Sequence, residues 1–204
     1  MQLFFRFMTD NSDLIGDYKG TVKNSVITAL LQAYLDSLDY DGMKSILKEA
    51  ELLELKDTRD VNPEGEIDFF SFKKLITAQN CLLYESNQLL YEIGRKFSFY
   101  LFPYGKSFTE IISEITELIK TNWDVQIKEK SENQYVIGIK KCVFCSEIGV
   151  SCDLFRGFLI HSLEKTLSSD YFIVSEITKE NVFDPTHNSF TLILNLEQRN
   201  KNEI

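Results

Sequence analysis

Three cysteines crowd one short stretch, Cys142-x2-Cys145-x6-Cys152, and this is the densest chemical signal in the chain. Thiolate sulfur is a soft ligand that suits zinc. With His187 the three would make a Cys3His set, the composition of a structural zinc site. The six-residue gap and the distant histidine leave a plainer reading open, in which Cys145 and Cys152 are buried free thiols. Nucleophilic catalysis finds less support. His161, one of two histidines, follows Cys152 by nine residues on one helix. That spacing is about 180° round the wheel, so the pair cannot meet directly. No nucleophile elbow, phosphate loop, dinucleotide fingerprint or paired-histidine zinc motif occurs. His161 points inward on the wheel, which suits a hydrogen-bonded core residue or, less simply, an axial ligand to a tetrapyrrole metal.

A second pattern lies earlier. Asp60, Asn62, Glu64, Gly65, Ile67 and Asp68 fall on positions of an EF-hand calcium loop, but the closing bidentate glutamate is replaced by Ser71. An acidic turn that caps the next helix explains the same residues without an ion.

Elements must hold these groups in place. A chain of 204 residues can bury about 70% of its extended surface and needs no disulfide staples. The net charge of −9 argues against a nucleic-acid or anionic-membrane surface. No apolar run is long enough for a membrane span, Cys81 stands apart from the other cysteines, and a reducing, cytoplasmic setting is expected. Sixteen phenylalanines and nine tyrosines against one tryptophan are enough to fill a core or to line a pocket for a flat apolar guest.

Residues 1–22 read as a loosely ordered arm, and 23–204 as one domain. Helical stripes run from Val26 to Leu38, from Met43 to Ala50 and from Phe69 to Leu83, with Asn24 as a plausible cap of the first. From Ser86 the next helix carries Leu90, Ile93, Phe97 and Tyr100 on one face, and Tyr91 and Phe102 on the other. Ser107 and Glu110 predict a capping box for a helix to Lys120. The period then switches to two, over Val125–Lys128 and Tyr135–Lys140, and again over Tyr171–Ile177 and Phe190–Leu196. Between these strands lies a helix apolar nearly all round, with Leu154, Phe155, Phe158, Leu159, Ile160 and Leu163; such a helix is buried on both sides. The expected fold is α+β. A helical N-terminal half packs on an antiparallel four-stranded sheet, and a β-β-α-β-β C-terminal half encloses a hydrophobic pocket. Tyr91, Phe97, Tyr100, Phe102, Phe155, Phe158 and His161 are the candidate lining.

Segments spread over residues 24–196 carry a resemblance: NSVITALLQAYLDSL, DGMKSILKEAEL, EIDFFSF, IGRKFSF, KKCVFC, FRGFLIHSL and VSEITKENVFDPTH. In that order they resemble the 4-vinyl-reductase domain family of predicted hydrocarbon-binding proteins. That family is similar in fold to TRAPP tethering subunits and, more remotely, to haem nitric-oxide-binding domains. The resemblance implies a cavity for an apolar small molecule, and a homodimer. By position it also implies a zinc set at Cys152, Glu176, Lys179 and His187, in which Lys179 is a cation and no ligand. It favours a non-catalytic binding, sensing or carrier role for a hydrophobic, aromatic or tetrapyrrole-like molecule over an enzymatic one. The alternatives are a TRAPP-like scaffold with a filled interior, and an accessory protein or enzyme of chlorophyll vinyl reduction, although no nicotinamide or flavin site is legible. No cofactor is certain, and zinc is the metal that the cysteines would suit.

Overall fold

A computed structural model describes residues 19–57, 62, 64–145, 152–179 and 188–199. Five helices and two antiparallel sheets make up these residues. Strand β1 (Thr21–Lys23) leads into helix α1 (Asn24–Glu49), then β2 (Glu66–Asp68), α2 (Phe69–Leu82), α3 (Asn87–Leu101), α4 (Phe108–Leu118) and β3 (Ile119–Lys120). The second half is β4 (Asp124–Lys130), β5 (Gln134–Lys140), α5 (Asp153–Glu164), β6 (Tyr171–Lys179) and β7 (Phe190–Gln198). The expected β-β-α-β-β order is therefore present. The larger sheet runs β4-β5-β7-β6 with every pair antiparallel. Register puts Val125 opposite Ile139, Ile137 opposite Leu192 and Tyr135 opposite Leu194, so one sheet face is a continuous apolar layer.

Local chemistry explains the helix boundaries. The two expected N-terminal helices meet in α1 at a kink where Asp39 has φ 63°. Its carboxylate accepts from the Gly42 N–H at 3.0 Å and so restarts the helix as a cap would. Asn24 is not the cap that the sequence suggested. It is the first helical residue, and its side-chain amide reaches the Asn62 carbonyl at 2.7 Å. Asp68 caps α2 by accepting from the Ser71 N–H at 2.8 Å and hydroxyl at 2.7 Å. Those bonds hold its carboxyl below the usual range. In the described part of the acidic loop, the carboxylate at calcium position 9 thus serves the helix; Asp60 lies outside the described residues. The Ser107–Glu110 capping box is present.

Helix α4 stops two residues short of the expected end because Ile119 and Lys120 pair with β1. Strand β1 is the middle of the small sheet β2-β1-β3. Gly20, at the end of the expected arm, has φ 137°, and a Cβ there would lie 1.9 Å from the Lys120 carbonyl oxygen. No other residue fits.

Helix α3 packs against α1 on one side and α5 on the other, which accounts for its two apolar stripes. It meets α5 backbone to backbone. A Cβ on Gly94 would come within 1.9 Å of the Leu154 carbonyl oxygen, and one on Gly157 within 2.1 Å of that of Tyr91. Neither neighbour is a side-chain end that could swing away. Gly157→Ala should therefore cost about 3 kcal/mol, the upper part of the usual overpacking range. Urea unfolding that matches wild type within 0.5 kcal/mol would show that the helices can part freely. No helix of the described residues is long and apolar enough to cross a membrane.

Candidate thiol site and aromatic core

Cys142 ends the β5 hairpin arm, and its N–H donates to the Asn188 carbonyl at 2.8 Å, fixing the turn to the start of β7. The Cys145 N–H turns back to the Cys142 carbonyl at 3.4 Å. Cys152 sits at the N-cap position of α5. The three sulfurs lie within 4.8 Å of one another, all buried, with Cys142 and Cys152 Sγ 3.2 Å apart. All are free thiols. Four sulfurs 2.3 Å from a zinc ion would be separated by about 3.8 Å, so the observed spacing needs only small adjustment.

The three thiols do not share protons evenly. Burial opposes ionisation of Cys142, yet S–H bonds from Cys145 and Cys152 outweigh it and hold the Cys142 thiol well below its usual range. The bond to Cys142 pushes Cys145 up, and burial pushes Cys152 up. The cluster is built to hold one negative charge first, on the sulfur with the most donors.

Helix α2 grips this turn from outside. Lys73 Nζ donates to the Cys145 carbonyl at 2.9 Å, and the Asn80 amide to the Phe144 carbonyl at 3.4 Å. Behind Asn80, the buried Gln79 accepts from the Tyr34 hydroxyl at 2.7 Å. The cysteine spacing gave no hint of Lys73, Asn80 or Tyr34, because the contacts span 45 to 72 residues of chain.

Of the expected metal ligands, the structure brings together Cys142, Cys145 and Cys152. Glu176 is exposed on β6 and is not part of the sulfur cluster. His187 lies outside the described residues, next in sequence to Asn188. The side chain of Lys179 is likewise not described.

Of the expected lining, Phe97, Phe102, Phe155 and Phe158 come together, each 0–3% exposed. Phe158 is the hub, with ring centroids 5.1 Å from Phe97, 5.7 Å from Phe155 and 6.1 Å from Phe102. Two rings the sequence reading did not choose complete the chain. Phe144, inside the cysteine turn, stacks on Phe155 at 5.0 Å, and Trp123 lies 5.7 Å from Phe155. An apolar Val143–Phe144 pair between two buried cysteines was the available signal. The space expected to be a pocket is thus spanned by rings in mutual contact. Tyr91 and Tyr100 stand apart, half-buried. The ring of Tyr91 faces the Arg95 and Arg156 guanidinium groups, and the Tyr100 hydroxyl donates to Asp36. His161 is half-buried beside Glu164, its Nδ1 3.6 Å from a carboxylate oxygen that takes Arg95 at 2.7 Å. Neither ring nitrogen has a hydrogen-bond partner among the described residues, so it is not the hydrogen-bonded core residue expected.

No protein-family profile matches the chain, and no curated protein matches it. Solved structures do. An unliganded Fe(II) H-NOX protein from K. algicida superposes with a TM-score of 0.56 at 14% identity, covering 87% of this chain and 98% of that one. An oxygen-binding H-NOX domain related to soluble guanylate cyclases, solved as its oxygen complex, gives 0.56 at 15% identity over 88% and 96%. A variant of the T. tengcongensis H-NOX gives 0.55 at 17% identity over 88% and 98%. These likenesses support the haem-NO-binding-like part of the resemblance and leave its 4-vinyl-reductase part without a match. They establish the architecture: this chain has an H-NOX-type α+β fold.

Proposed function

We propose that this domain is a non-catalytic binding or sensing module that holds a zinc ion on Cys142, Cys145 and Cys152. The observation that carries the reading is three buried sulfurs within 4.8 Å on two converging segments. Thiolate sulfur selects zinc or copper(I) over hard cations. Three protein ligands leave a fourth position for a side chain such as His187, or for an exchangeable ligand through which the ion could report a signal.

Haem, which solved neighbours of this fold bind according to their descriptions, does not fit the residues here. The rings of Phe97, Phe144, Phe155, Phe158 and Trp123 occupy the layer between helices and sheet. The buried face of α4 offers Phe108, Ile111, Ile112 and Ile115, with no ligand atom. His161 lies at the α3–α5 seam beside Glu164, with both ring nitrogens buried and without a hydrogen-bond partner among the described residues. A second reading keeps the hydrophobic guest. One observation favours it: the ring chain ends at Phe102, just past the end of α3, where an apolar molecule could enter by displacing rings.

Native mass spectrometry of freshly purified protein, with elemental analysis, tests both and reports subunit count against the expected homodimer. One zinc per chain that disappears in Cys142→Ser is the expected result. A bare-chain mass from protein prepared with zinc present would overturn the metal reading. An added organic mass would favour the guest.

A further inference from the structure

The zinc reading leaves a charge unbalanced, and the residue that faces it comes from another element. Three thiolates and one divalent ion sum to −1 in a buried setting, and charge without a partner there is costly. We infer that Lys73 of α2 is the positioning and counter-charge residue of the thiol site. This inference rests on the metal reading.

Three observations support it. The Lys73 ammonium donates to the carbonyl of Cys145, itself one of the three sulfur residues. Its chain neighbour Lys74 is committed elsewhere, to Glu51 at 2.7 Å, whereas Lys73 has no carboxylate among its partners in the described residues. The turn it clasps is held a second time from the same helix, through Asn80 and the Phe144 carbonyl. One side chain therefore contributes both a fixed turn and a positive charge beside Cys145, while the N-terminal end of α5 supplies a partial positive charge at Cys152. Outer groups that orient ligands in this way are commonly worth 10- to 100-fold in metal affinity.

The test is competition for zinc against a chromophoric chelator, in wild type, Lys73→Arg and Lys73→Gln. The unfolding midpoint of each metal-free protein is measured alongside. Lys73→Gln should bind zinc about 10- to 100-fold more weakly, Lys73→Arg should stay near wild type, and the metal-free midpoints should agree. A purely structural lysine would lower the metal-free midpoint and leave the affinity ratio of the folded proteins unchanged; that pattern overturns the inference. Equal weakening by Arg and Gln also overturns it, since charge is then not what matters. If wild type takes up no zinc, the metal reading itself has failed. If wild type binds and Lys73→Gln matches it, only this inference has.

Discussion

Phe158→Ala should lower the stability of this domain by about 3–5 kcal/mol, the range for removing a large buried ring. The expectation comes from position. Phe158 is 0% exposed and touches the rings of Phe97, Phe102 and Phe155. These neighbours come from two helices whose backbones are already in contact, so they cannot close over the gap. The penalty then includes a residual cavity as well as lost transfer free energy. Urea unfolding measures it. A loss below about 1 kcal/mol would mean that the ring borders space rather than fills it, and would revive the pocket. The variant also offers a positive test: an apolar void of this kind stays dry and takes benzene. Added benzene should therefore raise the midpoint of Phe158→Ala and leave wild type unmoved.

The second large effect concerns the metal. With zinc at about a thousand times its dissociation constant, the folded state should gain about 4 kcal/mol over metal-free protein. Cys142→Ser should lose that gain. Cys142 is the sensitive choice because its sulfur belongs to the buried cluster and lies 3.2 Å from that of Cys152. Serine keeps the shape but cannot supply a thiolate. Midpoints measured with zinc and with chelator should differ for wild type and coincide for the variant. A wild-type midpoint indifferent to chelator would count decisively against a bound structural ion.

Much of the second half could be read from the sequence because its signals are local and periodic. The alternation at Val125–Lys128 and Tyr135–Lys140, the Ser107–Glu110 box and the all-round apolar α5 each need only a few neighbouring residues. Strands β1, β2 and β3 were illegible for the opposite reason. They are two or three residues long and exist because Val22 meets Ile67 on one side and Ile119 on the other. The thiol cluster was visible as spacing, but its setting was not. No local pattern links Phe144 or Lys73 to it. Gly94 and Gly157 carry no pattern at all; only the crossing of α3 and α5 gives them meaning. Phe97, Phe102, Phe155 and Phe158 are buried, while whether such rings surround a guest or one another depends on side-chain packing that periodicity does not encode.

The bare crossing at Gly94 and Gly157 has a mechanical consequence. With no side chain between the backbones at these two glycines, α3 and α5 are meshed there like a key in a lock. Any displacement of Cys152 that accompanies ion capture must carry both helices together. Hydrogen exchange should find their central amides opening as one cooperative block, so an event at three sulfurs would be felt at the far flank of α1 without any intervening hinge.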